Sequence, residues 1–164
     1  MGKIRTISPT NIADWFLFHV DRCSGSSMTH LKLQKLVYYA QAWSLANFNR
    51  TLFDEDVQAW THGPVSPSVW QQHRESGWSE LPPPEAAPAL QRPQDAILPM
   101  VLAEYGKYDA KFLEDMTHME APWKRTRGDL PLEARCTKPI PKILMRDFYA
   151  KKIKKVWPKS IATD

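Results

Sequence analysis

Proline is the residue that most constrains this chain, because 14 of its 164 residues are proline. The ring fixes φ and removes a backbone N–H, so proline is confined to first helical turns, bends and extended segments. Ser8-Pro9 and Ser66-Pro67 each place an N-capping serine before proline at the first helical position, which predicts two helix starts. Residues 79–99 hold six prolines and are predicted to form an extended connector.

The segments between the prolines carry helical spacing. A helical face is formed by residues at i, i+3, i+4, i+7 and i+8, namely Ile12, Trp15, Phe16, His19 and Val20. Thr29 can cap a second, central helix at about 31–47. Further helices are predicted from Ser66-Pro67 to Gly77 and at about 94–105, 110–118 and 140–155, with one short strand at about 56–60 and an irregular segment at 126–139. The fold class is therefore mainly α: a single compact helical domain with at most a small β element and a proline-rich connector.

Charge is distributed unevenly. The formal charge is +4, but residues 1–137 carry 14 Lys and Arg against 16 Asp and Glu, and residues 138–164 carry 8 against 2. We therefore expect a domain at 1–150 and a basic C-terminal tail at 151–164. The lysines of this end can either form a solvated helix face or grip a nucleic-acid backbone; they are Lys151, Lys152, Lys154, Lys155 and Lys159.

Several functional classes lack their sequence patterns. No nucleophile-elbow, phosphate-loop, dinucleotide-binding or zinc-protease motif occurs, so we expect neither an enzyme nor a cofactor. Cys23 and Cys136 have no metal-ligand spacing and are expected to be reduced thiols. No apolar run reaches the length of a membrane span, and we expect a cytoplasmic protein without membrane or nucleic-acid partners.

Two histidines precede proline-marked bends. His62 lies in WTHGP and His118 in MTHMEAPW, with Glu120 two residues further on. The pair could ligate a metal together with Glu120, or each imidazole could hydrogen-bond a backbone carbonyl and fix its turn. Because no ligand spacing supports the first alternative, no metal site is predicted.

The tryptophans fall into two groups. Trp15 and Trp43 lie on apolar helix faces and are expected in the core. Trp60, Trp70 and Trp123 lie beside proline-fixed turns, where an aromatic side chain suits a recognition surface because it offers large contact area with few rotatable bonds. Packing at a corner is the alternative for these three.

Three segments, in this order, resemble one family. LKLQKLVYYAQAWSLA at 31–46, HGPVSPSVW at 62–70 and MTHMEAPWKRTR at 116–127 are similar to the Panacea domain, which includes SocA-like antitoxins and GepA-like phage-associated proteins. The resemblance extends over most of residues 8–150. It implies a bacterial or phage-encoded antitoxin that neutralises a cognate toxin by direct protein–protein binding.

The resemblance also implies a partner and leaves alternatives. The expected partner is a toxin encoded beside this chain, in many such pairs an enzyme that attacks translation. The SocA branch instead acts as a proteolytic adaptor that delivers its toxin to the ClpXP protease. A nucleic-acid-binding phage accessory protein is a third possibility, motivated by the basic tail.

A domain that serves unrelated toxins is expected to keep its scaffold and vary its surface. We predict that the scaffold comprises Leu33, Gln34, Lys35, Leu36, Trp43, Gly63, Pro64, Thr117 and Pro122. We predict that the partner binds exposed surface near the proline-rich segment 79–99, the basic last helix and the following residues: Tyr38, Asp54, Glu55, Asp56, Trp60, His62, Trp70, His118 and Trp123. The acidic run 54–56 could compete with tRNA or nucleotide phosphates for a basic or metal-binding toxin cleft.

Overall fold

The computed structural model describes residues 6–24 and 27–153. In these ranges the chain forms seven α-helices and one two-stranded antiparallel sheet, which confirms the predicted mainly α single domain. Helix bounds are α1 Pro9–His19, α2 His30–Phe48, α3 Pro67–His73, α4 Gln94–Tyr105, α5 Ala110–Met119, α6 Ala121–Arg127 and α7 Lys142–Ala150. None of the described helices is long and apolar enough to span a membrane.

The predicted helix starts are confirmed by their capping bonds. The side chains of Ser8, Thr29 and Ser66 accept from the backbone N–H three residues later and begin α1, α2 and α3. Asp109 begins α5 in the same way, with a 2.7 Å bond from the Phe112 amide. Asn49 ends α2 in the left-handed conformation, at φ 53°, which asparagine tolerates better than most residues.

Helix α2 is the centre of the molecule. The sequence predicts one apolar stripe on it, but the structure buries it almost all round, because α1, α4, α5 and α7 pack on different sides. The polar residues of α2 are consequently buried with partners. Lys32 donates to the Gly106 carbonyl at 2.7 Å, and Gln41 accepts from the Leu52 amide at 2.7 Å.

The predicted strand is half of a hairpin. Strand β1, Gln58–Trp60, pairs with β2, Gly63–Val65, so that Thr61 and His62 form its tip. Gly63 has φ 108°, and a Cβ there would lie 2.6 Å from the Lys35 side chain. Only glycine combines this conformation with so close an approach to α2.

The proline-rich connector runs from the end of α3 to the start of α4. Its beginning is anchored, because the Leu81 amide donates to the Met28 carbonyl at 2.8 Å. The helix predicted at 94–105 is confirmed, with Pro99 on its exposed side.

The C-terminal third differs most from prediction. Helix α6 was not predicted; the expected irregular segment at 126–139 begins inside it and is otherwise confirmed. The last helix was predicted at 140–155 but spans Lys142–Ala150. Of the basic tail, the described residues are 151–153, and Lys154, Lys155 and Lys159 lie outside them.

Candidate functional site

The described residues form a half-open groove of about 730 Å³. We call it the tryptophan groove, after Trp60, Trp70 and Trp78. Four segments form its walls: the first turn of α2, the β1–β2 hairpin, α3 with the turn after it, and residues 135–137. The remaining lining residues are His30, Leu31, Gln34, Thr61, His62, Val65, Arg74, Gly77, Arg135, Cys136 and Thr137.

The hairpin wall is fixed from behind. The Trp60 carbonyl accepts a 2.8 Å bond from the indole N–H of Trp123, whose ring stacks on His118 at 4.0 Å between centroids. On the groove side, the Trp60 ring contacts Trp70 at 5.6 Å between centroids. These contacts hold Trp60 at the base of the groove while its neighbour His62 remains exposed at the rim.

The α3 wall is fixed at its N-terminus. The Gln34 amide grips the Ser66 backbone twice, accepting from its N–H at 2.8 Å and donating to its carbonyl at 3.2 Å. The Ser66 hydroxyl also donates to Glu55, whose carboxylate accepts from the Ser68 amide at 3.2 Å. A carboxylate at a helix N-terminus stabilises the helix. Gln34 and Glu55 therefore set the direction in which α3 presents Trp70 and Arg74.

The fourth wall is organised by one buried cation. Arg127 is 3% exposed and donates to the carbonyls of Ala59, Pro131, Leu132 and Ala134, at 2.8–3.1 Å. Three of these acceptors lie in the irregular segment that leads directly to Arg135. Because a guanidinium offers five donors in a fixed plane, one side chain can order this whole segment.

The tip of the hairpin reaches a buried carboxylate. His62 Nδ1 lies 3.3 Å from Glu114 Oε1, and Lys111 approaches the same oxygen at 3.7 Å. Lys35 lies fully buried nearby and donates to the Pro64 carbonyl at 3.3 Å. Burial lowers the pKa of Lys35 to about 7, while the charge of Glu114 acts in the opposite direction.

His30 is neutral on the opposite wall. Burial, followed by the neighbouring His73 and Lys35, lowers the pKa of His30 to about 4. Its Nε2 therefore accepts a hydrogen bond from the Gln34 amide at 3.1 Å. Arg74 and Arg135 bring two full positive charges to the groove lining.

A family model described as the SocA-like antitoxin Panacea domain matches residues 33–124, more than half of the chain. This chain belongs to that family. Membership confirms the sequence resemblance and supports an antitoxin role in general. No curated protein and no solved structure matches the chain.

The matched part of this Panacea protein runs from α2 to α6 and includes the hairpin wall and the α3 wall of the groove, together with Gln34 of the α2 wall. All the predicted scaffold residues are buried, and Gln34, Lys35, Gly63, Pro64 and Thr117 meet where the hairpin packs on α2 and α5. Packing alone is therefore sufficient to account for these positions.

The Panacea fold brings together three of the predicted partner-binding residues, Trp60, His62 and Trp70, in the tryptophan groove. The expectation that Tyr38 marks exposed surface is wrong. Tyr38 is 1% exposed, because α7 covers this side of α2 and the Tyr149 hydroxyl lies 3.0 Å from that of Tyr38. Packing also accounts for Trp123, which is 6% exposed behind the groove, so the expectation of a surface indole there is wrong.

The acidic run lies outside the groove lining. Glu55 is occupied with the start of α3, and Asp56 forms a 2.7 Å ion pair with Lys142 of α7. Asp54 is exposed. Glu55 and Asp56 thus have structural partners, which the sequence pattern did not indicate.

Neither interpretation of the two histidines describes them well. His62 contacts Glu114 and not a carbonyl, and His118 stacks on Trp123. Glu120 faces the other way, accepting from Tyr39 at 2.6 Å and from Tyr149 at 3.1 Å. Within residues 6–24 and 27–153, no group of three or more His, Cys, Asp and Glu side chains could hold a metal ion.

Trp78, Arg74 and Arg135 also line the groove but are not among the residues that the sequence predicted to bind the partner. Trp78 is 73% exposed and follows Gly77, which has a positive φ of 55° and turns the chain after α3. A tryptophan directly after a helix-ending glycine is a usable signal for a displayed ring. Nothing in the sequence around Arg74 or Arg135 indicates that both residues line the same groove.

Proposed function

We propose that this Panacea protein is an antitoxin that neutralises a toxin encoded beside it by direct binding in the tryptophan groove. The observation that carries the proposal is the exposure of two indoles, Trp70 at 36% and Trp78 at 73%, around a half-open concave surface. Tryptophan is enriched among the residues that dominate binding energy, and exposed apolar concavities commonly mark interaction sites. Family membership supplies the kind of partner, a toxin.

Rigidity of the walls favours binding without rearrangement. Gln34 and Glu55 fix α3, Trp123 fixes the hairpin and Arg127 fixes the last wall. A pre-formed surface loses little conformational entropy when a partner binds. This supports occlusion of the toxin by a stable complex.

The test is co-expression with the product of the neighbouring open reading frame. We expect that product to arrest growth alone, and this protein to restore growth and to co-purify with it. The double variant Trp70→Ala/Trp78→Ala is expected to bind at least about 30-fold more weakly, because each indole at the centre of an interface contributes on the order of 2 kcal/mol.

The matched control is Met119→Ala. Met119 is 80% exposed and does not line the groove, so this variant removes an exposed apolar side chain elsewhere and should neutralise normally. A neighbouring product without toxicity, or a toxin that the intact protein neither binds nor neutralises, would refute the proposal. An equal loss of toxin binding in the control and in the groove variant would refute the proposal that the toxin binds in the tryptophan groove.

Protease delivery is separated from occlusion by the lifetime of the toxin. A protein that only blocks its partner leaves the partner's half-life unshortened, whereas an adaptor shortens it in cells that contain ClpXP. We expect toxin half-life in the complex to be the same with and without ClpXP. A ClpXP-dependent decrease would assign this chain to the adaptor class.

A further inference from the structure

The charged residues that line the tryptophan groove are all basic. Arg74 and Arg135 line it, and among its described lining residues none is Asp or Glu. Glu75 lies 3.9 Å from Arg74, but both side chains are well exposed, at 89% and 49%, so this pair neutralises little of the arginine's field. Any partner that enters the groove meets two cations with few competing internal anions.

The carboxylate that His62 contacts is already balanced by other cations. Glu114 lies beneath His62, but its side chain is 9% exposed and it faces Lys111 at 3.7 Å as well as the buried Lys35. Its charge therefore contributes little to the potential at the mouth of the groove.

Most of the remaining groove surface is apolar. Trp60, Trp70, Val65 and Leu31 contribute ring and aliphatic surface, and Trp78 stands at the edge, 6.5 Å between centroids from His62. A volume of about 730 Å³ is large enough for two or three side chains of a bound segment. A lining that combines apolar side chains with two arginines fits an occupant with an apolar anchor flanked by negative charge.

We infer that the tryptophan groove receives a segment of the toxin in which Asp or Glu residues flank an apolar or aromatic side chain. This inference rests on the proposed function and adds the chemistry of the partner. The acidic run 54–56 predicts an acidic surface that binds a basic toxin cleft, whereas the groove presents basic residues to an acidic toxin segment. Two residues of that run, Glu55 and Asp56, have partners within the protein. Charge complementarity of this kind raises the association rate and selects among partners.

A single-stranded nucleic acid also combines stacking rings with negative charge, but the molecule does not favour it. Binding a phosphate backbone takes a succession of cations along the strand, and the groove offers two. The body around it, residues 1–137, carries a net charge of −2. A short acidic segment of a protein fits both facts.

The decisive variant is Arg74→Glu/Arg135→Glu, with Lys124→Glu/Arg125→Glu as its control. The control changes the net charge equally on exposed residues of α6 that do not line the groove. We expect the groove variant to lose at least tenfold in affinity for the neighbouring gene product, and the intact complex to weaken as salt increases. The control should lose less than threefold.

The bound segment is identified by a photocrosslinking amino acid at Ser79, an exposed position beside Trp78. We expect the crosslinked toxin peptide to contain at least two Asp or Glu residues around an apolar one. Charge reversal of those acids, combined with Arg74→Glu/Arg135→Glu, should recover part of the affinity.

Three outcomes overturn the inference. The complex could depend on Trp70 and Trp78 but tolerate the arginine reversals. That result would leave the proposed function standing and refute the inference that the bound toxin segment is acidic. Binding of a labelled mixed-sequence single-stranded oligonucleotide that the reversals abolish would assign the groove to nucleic acid. If the intact protein forms no complex with the neighbouring product, the inference falls together with the proposed function.

Discussion

Lys35 places a titratable amine where water does not reach. Its side chain is fully buried and has the Pro64 carbonyl as hydrogen-bond acceptor, at 3.3 Å. Burial favours the neutral amine and brings the pKa to about 7, even though Glu114 favours the charged form. At neutral pH the native protein therefore holds this proton much less firmly than the unfolded chain does.

The first prediction concerns stability against pH. Between the native pKa of about 7 and the ordinary value of 10.5, the unfolded chain binds more protons than the native state at Lys35, so the free energy of unfolding rises with pH. The slope for one proton approaches about 1.4 kcal/mol per pH unit. Urea unfolding at pH 7, 8 and 9 should show this rise, and Lys35→Met should reduce the slope of the unfolding free energy against pH.

Lys32 provides the comparison for that experiment. Its pKa is also lowered by burial, although Asp109 opposes the change, so it contributes in the same direction. We therefore expect Lys35→Met to reduce the slope without removing it. A variant with the slope of the parent protein would show that Lys35 keeps its proton in the native state.

Glu120 presents the complementary case of a buried acid. Burial raises its pKa, while the hydroxyl of Tyr39 and the amine of Lys152 stabilise the ionised form. We predict that Glu120→Ala lowers the free energy of unfolding by about 2 kcal/mol, since the buried Tyr39 hydroxyl loses its acceptor. Chemical denaturation checks this, with the exposed Glu133→Ala as control; equal stability of the two variants would contradict it.

Among the elements, the irregular segment before Arg135 depends most on a single contact. Arg127→Ala would leave four backbone carbonyls without their donor, and we predict a loss of about 3 kcal/mol or more in unfolding free energy. Amide exchange at residues 131–135 should accelerate in the same variant. Arg127→Lys should be intermediate, because an ammonium has three donors and no planar fork. Unchanged exchange would mean that another contact orders this wall.

Four helices carry a capping residue that predicts them from sequence, and α4 and α7, which have no side-chain cap, are predicted from their apolar spacing. Ser8, Thr29, Ser66 and Asp109 announce their helices through capping chemistry. Helix α6 has seven residues and no side-chain cap, and tertiary contacts hold it: Trp123 to the hairpin and Arg127 to the following segment. Short helices of this kind carry too little periodicity to be seen locally.

For the whole molecule, the error at Tyr38 has an identifiable cause. A prediction from apolar periodicity assumes that one face of a helix is buried and the opposite face is exposed to solvent, whereas α2 is covered on nearly every side. The groove was partly predicted, because Trp60, His62 and Trp70 lie beside turns. Its charge was not predicted, since Arg74 and Arg135 are 61 positions apart in the sequence and line one groove only once α3 and the segment held by Arg127 are packed.

Helix α7 completes the molecule, and truncation tests this. Its Tyr149 and Met145 are buried, and the Tyr149 ring lies 5.3 Å between centroids from that of Trp43. We predict that a chain ending at Pro141 loses its cooperative thermal transition and binds a hydrophobic dye. A chain ending at Ile153 keeps every described element and should unfold cooperatively. Cooperative unfolding of the shorter chain would show that α7 is dispensable.

The distance along the chain between α2 and α7 has a consequence during synthesis. A ribosome releases residues 30–48 long before residues 142–150, so α2, which is buried almost all round in the folded protein, waits with one side uncovered for nearly all the rest to be made. Interrupted translation therefore yields an incompletely folded fragment that is prone to aggregation and proteolysis, and not a smaller functional protein. The supply of the folded molecule is tied to uninterrupted elongation.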